Sequence, residues 1–227
     1  MAKDDEACAV LVRLLSHDLR NPLTAVQLNA QLLERSAADA GREREQRWAA
    51  IITGAARRMD GMIQQLVEAE RLRMGLLKLG SQPIALAELF HEVEAQASPA
   101  CAPHPIRLVL PEAPVVVSID RPRLGQALTS LLRLTALAAD GTAEITVEAA
   151  AQNGDVACTL RAPRPVALGA PPADPPPGSA PSDPNLGIAF HVARTLIECQ
   201  NGSLRALTDH AESVGFSLIL PATSART

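Results

Sequence analysis

The sequence predicts a helical hairpin that pairs with a second copy into a dimeric four-helix bundle, followed by an α/β sandwich with helices on one face of a mixed sheet. Three observations carry this expectation. Apolar residues recur at helical spacing over residues 7–35 and again over 42–74. From about residue 85 onward, helical and alternating segments take turns. The 227 residues are 47% hydrophobic but only 2% aromatic, with three Phe, one Trp and no Tyr, so a core can be buried but must be aliphatic.

In the first helix Leu11, Leu15, Leu19, Val26, Ala30 and Leu33 form the stripe, and residues 37–41 are expected to break it. The second helix carries Ile52, Ala55, Met59, Met62, Leu66 and Ala69 at alternating spacings of three and four, the pattern of a bundle seam. Arg57, Arg58, Glu68, Glu70, Arg71 and Arg73 are assigned to its solvated faces. About 70 residues of hairpin enclose too little interior to stand alone, so two hairpins should close one core as a homodimer. We place this hairpin at residues 1–78 and a second domain at 79–227, after a hinge at 79–83.

In the second domain a helix is expected over 85–97, strands over 106–110 and 115–119, and a helix over 121–139. Strands over 143–151 and 155–162 are joined by Asn153-Gly154, a strong hairpin signal. A helix over 186–200 stops at Asn201-Gly202, and strands over 203–207 and 214–220 close the chain. Residues 162–184 hold nine of the 18 prolines and no periodic pattern. They are expected to form a Pro-rich lid or loop.

Composition excludes several functions. With 21 Lys+Arg against 25 Asp+Glu the net charge is −4, which argues against nucleic-acid binding through a basic face. No run of 18 apolar residues occurs and the acidic start lacks a signal-peptide layout, so no membrane partner and a cytoplasmic location are expected. The four cysteines lack any CxxC spacing and are expected to be reduced. No metal or cofactor is expected.

The chemistry-bearing stretch is Leu15-Ser16-His17-Asp18-Leu19-Arg20-Asn21-Pro22-Leu23. His17 lies about 200° around the helix from Leu15, away from the stripe. Asp18 follows it directly, and Asn21 stands one turn on along the same face. Pro22 removes the backbone bond to the Asp18 carbonyl and should kink or loosen the helix. This stretch resembles the H-box of bacterial sensor histidine kinases. The resemblance implies that His17 carries a phosphoryl group, that Asp18 orients it and takes its proton, and that Asn21 positions water during dephosphorylation of a partner. His91, His104, His191 and His210 have no comparable setting and are expected to be structural.

The second half resembles the ATP-binding domain of the same family, which makes the expected sandwich one of the histidine-kinase ATPase type. Asp120-Arg-Pro-Arg-Leu-Gly-Gln-Ala-Leu-Thr-Ser-Leu-Leu is similar to the opening of that domain. Asn185-Leu-Gly-Ile-Ala-Phe-His-Val-Ala-Arg, followed by Asn201-Gly202, is similar to its second glycine box. Aligned on the leucine pair, the asparagine that holds magnesium in the family falls on Leu134, and an earlier asparagine falls on Ser130. Leucine offers no oxygen to a hard cation. The family's Asp-x-Gly-x-Gly corresponds to Ala162-Pro-Arg-Pro-Val, which has neither the acid nor the glycines.

These departures favour a phosphorelay protein that exchanges phosphoryl groups between His17 and aspartates of response-regulator receiver domains, with ATP binding lost. An upstream hybrid kinase would supply the first receiver. The alternatives are an ATP-dependent sensor histidine kinase core with divergent boxes, and a non-catalytic scaffold that docks on a kinase or regulator.

Overall fold

The computed structural model describes residues 2–39, 41–152, 154–163, 184–207 and 213–221, without the side chains of 2–18 and 184–186. The chain forms two compact units, Met1–Leu77 and Lys78–Thr227.

The first unit is an antiparallel hairpin of α1 (Ala2–Asp39) and α2 (Glu43–Arg73). Its first helix is longer than the stripe implies, because Ala37 is fully buried against the second helix and the turn comes only at Gly41. Pro22 does not end α1, which continues through it as one helix. The hairpin's own seam consists of Leu23, Ala30 and Ala37 on α1 facing Ala49, Thr53 and Ala56 on α2, all buried. Small residues dominate this seam and let the two backbones approach closely.

Ala30 belongs to this seam, but the large residues of the stripes read from the sequence lie on a different face. Leu19, Val26 and Leu33 on α1 are 52%, 47% and 43% exposed, and Ile52 and Met59 on α2 are 43% and 53% exposed. At about 100° per residue, Ile52 and Met59 stand some 100–120° around α2 from Thr53, so one helix pair cannot cover both faces. Ala69 is the member of the α2 stripe that is buried within the hairpin. Glu70, assigned to a wet face, is also buried, at 8% exposure, and accepts a 2.7 Å bond from Arg73 Nε. That ion pair is what makes the burial of a carboxylate tolerable.

The second unit has the expected layers. A five-stranded mixed sheet runs β2 (Ile106–Val109), β4 (Ile145–Gln152), β5 (Asp155–Pro163), β7 (Ser213–Pro221) and β6 (Ser203–Ala206). Only the β2–β4 pair is parallel. Gly154 turns the β4–β5 hairpin at φ 86°, a conformation that costs glycine nothing. Period-2 burial runs through β5, with Val156, Cys158, Leu160 and Ala162 all turned inward.

Those side chains meet α4 (Arg121–Ala138), which α3 (Leu86–Cys101) and α5 (Pro184–Glu198) flank, in a mainly aliphatic core that includes Leu89, Phe90, Leu128, Leu131, Leu196 and Ile197. A separate two-stranded sheet pairs β1 (Gln82–Ala85) with β3 (Val116–Ile119). Strand β1 takes over part of the expected hinge, because four residues with one buried side chain give no periodic signal. Most of the Pro-rich lid, 164–183, lies outside the described residues, as does His210. His104 is buried and bonds the Ala143 carbonyl through Nδ1 at 2.9 Å, a structural contact.

Candidate functional site

The His17–Leu23 stretch lies on α1, whose backbone carries His17, Asp18 and Asn21 within little more than one helical turn. The side chains of His17 and Asp18 are outside the described residues; Asn21 is exposed. Leu23 is 7% exposed and anchors the stretch in the hairpin seam. Thr24 Oγ1 donates to the Arg20 carbonyl at 2.8 Å, a local bond that supports the turn containing Pro22.

The structure adds a link that sequence spacing could not supply. Arg20 Nε donates to Asp60 Oδ1 across the hairpin at 3.3 Å, and Gln64 Nε2 donates to the second carboxylate oxygen at 2.7 Å. With Arg20 opposite Asp60, the antiparallel register sets the backbone at His17 level with the turn of α2 around Ile63. Arg20 and Asp60 are 40 residues apart, so only the hairpin register reveals the pair.

In the second unit, α4 carries the two positions where the family has asparagines. Leu134 is 7% exposed and belongs to the core, and Ser130 is half-buried. Neither offers a carboxamide, and a buried leucine gives a cation nothing to bind. Ala162 and Pro163 end strand β5, with Ala162 buried; Arg164, Pro165 and Val166 lie outside the described residues. Gly187 stands near the start of α5, and Phe190 stacks on Phe216 with ring centroids 5.6 Å apart. The described positions of this set lack the carboxamides and the acid that the resemblance assigns to nucleotide binding. Among the described residues no cluster of three or more metal-ligating side chains occurs.

Asp120 matters more than its place in a family pattern suggested. It caps α4 by accepting the Arg123 N–H, is ion-paired with the Arg123 guanidinium, and accepts the Gly80 N–H at 2.8 Å. Its own N–H donates to Gln200 Oε1 at 2.7 Å, and Gln200 Nε2 donates to the Leu196 carbonyl. One residue thus ties three segments: its carboxylate holds the segment leaving the hairpin and the α4 N-terminus, and its backbone N–H holds the end of α5. An Asp before a Pro-containing first turn is an N-cap signal that sequence could have supplied.

Residues 10–75 match the His Kinase A (phospho-acceptor) domain, and that match contains the whole His17–Leu23 stretch. This 10–75 stretch of the chain belongs to the phospho-acceptor domain family of histidine kinases. The sensor protein KdpD of Escherichia coli is 25% identical over 223 residues, covering 95% of this chain and 24% of that protein. The sensor histidine kinase TrcS of Mycobacterium tuberculosis is 33% identical over 117 residues, covering 52% of this chain and 23% of that protein. The chain therefore spans about a quarter of the length of these curated relatives.

Among solved structures, full-length ShkA in complex with AMPPNP superposes with a TM-score of 0.69 at 17% identity, covering 95% of this chain and 46% of that one. The Acinetobacter baumannii histidine kinase AdeS gives 0.61 at 15% identity, covering 90% and 97%. At these identities the likeness concerns the fold, which is a histidine-kinase helical hairpin followed by an ATPase-type α/β unit. The chain is a histidine-kinase-type protein with a phospho-acceptor domain over residues 10–75. Among its described residues no helix is long and apolar enough to cross a membrane.

Proposed function

We propose that the chain is a dimeric histidine phosphotransfer protein on a histidine-kinase scaffold, with His17 as carrier and no productive use of ATP. The observation that carries this is Leu134, an apolar side chain packed into the core where the family's resemblance calls for a magnesium-holding asparagine. Residues 1–78 form the dimerisation and phosphotransfer hairpin, and 79–227 the degenerate ATP-binding domain. The protein works in the cytoplasm.

The reaction needs few groups. A neutral imidazole nitrogen of His17 attacks the phosphorus of a receiver's aspartyl phosphate; a P–N bond forms as the P–O bond breaks. Asp18 accepts the proton of the other ring nitrogen and holds the reactive tautomer. The step then reverses onto the aspartate of a second receiver. The receiver's own acidic pocket supplies the metal. Exposed Thr24, together with Leu14 and the facing end of α2, forms the docking surface, and Asn21 positions water when a receiver is dephosphorylated. An upstream hybrid kinase provides the first phosphoryl group.

Dimerisation is supported by the exposed Leu19–Val26–Leu33 and Ile52–Met59 stripes, which a second hairpin would cover to complete a four-helix core. The test is labelling of the purified chain by phosphorylated receivers. An acid-labile, base-stable phosphoryl group should map to His17. His17→Gln should abolish it while leaving folding intact, Asp18→Asn should slow it, and Asn21→Ala should spare transfer but weaken receiver dephosphorylation. Transfer that persists in His17→Gln would sink the proposal.

The second reading is an ATP-dependent autokinase, favoured by preservation of the whole ATPase-type α/β layering. Label entering the chain from ATP and magnesium alone would select it.

A further inference from the structure

The hairpin carries a groove that neither phosphotransfer nor dimerisation uses. It is an open groove of about 410 Å³ between the two helices, lined by Gln31, Glu34, Arg35, Ala38, Gln46 and Arg57. Helical geometry fixes which side it lies on. At about 100° per residue, Gln31 and Arg35 stand roughly 100–140° from Ala30 in one sense, whereas Val26 and Leu33 stand roughly 40–60° in the other. On α2, Gln46 and Arg57 stand roughly 20–40° from Thr53, whereas Ile52 and Met59 lie roughly 100–120° away in the opposite sense. In an antiparallel pair these senses agree, so the groove opens away from the apolar stripes and a second hairpin leaves it accessible.

Among the described residues its arginines carry no compensating carboxylate, a state they share with Arg58 and Arg71 of the same hairpin; what sets them apart is that both line one groove. Arg20, Arg42, Arg47 and Arg73 of the same hairpin each hold a carboxylate within 4.0 Å, and Arg44 lies over the Trp48 ring. Among the described residues, Arg35 and Arg57 have no such partner. Two guanidinium forks from opposite helices, with two amide side chains beside them, suit a group whose oxygens point in several directions. A phosphate can take both forks at once, whereas one fork already satisfies a carboxylate. Glu34 in the same wall opposes a bare polyanion but accepts hydrogen bonds from hydroxyls. The volume is that of an ordinary small-ligand site.

We propose that this groove binds a phosphorylated polyol such as a sugar phosphate, its phosphate bridging Arg35 and Arg57 and a hydroxyl donating to Glu34. The bridge would tie α1 to α2 at the turn end of the hairpin. The test titrates ribose 5-phosphate, and separately inorganic phosphate, into the 227-residue chain while following backbone amide shifts. Ribose 5-phosphate should saturate with a Kd below about 1 mM at low salt and bind more tightly than inorganic phosphate. The shifts should fall on 31–38 and 46–57.

Arg35→Gln and Arg57→Gln should each weaken binding about tenfold or more, through loss of charge-assisted bonds. Arg58→Gln, an exposed arginine outside the groove, should leave it unchanged. Glu34→Gln should erase the preference for the sugar phosphate over the inorganic ion. No saturation up to about 10 mM, equal affinity in the Arg35 and Arg57 variants, or shifts confined to residues 78–227 would overturn the proposal.

Discussion

Asp120 shows how much of the α/β unit depends on one side chain. Burial by itself would raise its pKa, but the Gly80 N–H, the Arg123 guanidinium and the Arg123 N–H hold it below the ordinary carboxylate value. The sign follows from proton counting. The unfolded chain binds the Asp120 proton at a higher pH than the folded one, so this stabilisation is complete above about pH 4 and disappears as pH falls through the folded value. Asp120→Asn keeps a cap acceptor but loses the charge, and should cost about 1–3 kcal/mol at pH 7. Chemical denaturation across pH 2–7 checks it: the variant should lose part of the wild-type slope on the acid side. Cys158 makes a second residue-scale case, its thiol pushed up to about 12 by burial alone. It should resist alkylation in the native protein at neutral pH and react on unfolding, because the thiolate is the nucleophile. At this scale legibility was uneven. The spacing of His17, Asp18 and Asn21 is a local pattern and could be read directly, whereas the Gly80–Asp120–Gln200 tie joins segments 40 and 80 residues apart and could not.

At the scale of elements, α2 explains why one seam was visible and another was not. Ile52, Met59 and Leu66 are large and stand out as a stripe; Ala49, Thr53 and Ala56, which make the hairpin's own contact, carry almost no hydrophobic signal. Their burial comes from close backbone approach, a property of two helices together. Ala49→Leu, at a fully buried position, should therefore overpack the seam and cost about 1–3 kcal/mol in thermal or urea unfolding. Strand β1 is not legible in the sequence for a related reason: its four residues become a strand by pairing with β3, not by their own pattern. Element α4 gives a sharper test of the nucleotide reading. Leu134→Asn supplies the amide that the family resemblance calls for, but it puts a polar group where the core has an aliphatic one. It should destabilise the unit by about 2–4 kcal/mol and yield no label from ATP, since Ser130 and Ala162 still lack the companion groups. A well-folded Leu134→Asn protein that labels itself from ATP would show that one substitution had disabled an otherwise intact kinase.

For the whole molecule, the decisive quantity is how each unit's stability depends on protein concentration. The α/β unit has a closed aliphatic core, with Leu128, Leu131, Ile145, Leu160 and Leu196 at 1% exposure or less, and needs no partner to complete it. The hairpin does not. Its described interior is mostly alanine and threonine, while Leu19, Val26, Leu33, Ile52 and Met59 face outward. Free energy from burying those side chains, about 25 cal/mol per Å² of apolar surface, becomes available only on association. Linkage then requires the hairpin's unfolding to follow mass action. The full chain should sediment as a dimer and melt in two transitions. The hairpin transition should rise in temperature as concentration is raised from about 1 to 100 µM, and the α/β transition should stay fixed. Ile52→Asp with Met59→Asp places two charges in the middle of the proposed interface, where an unpaired buried charge costs several kcal/mol. That double variant should sediment as a monomer and lose the concentration-dependent transition while keeping the other. A wild-type hairpin transition that does not move with concentration would mean that the exposed stripes are not what holds the helices in place.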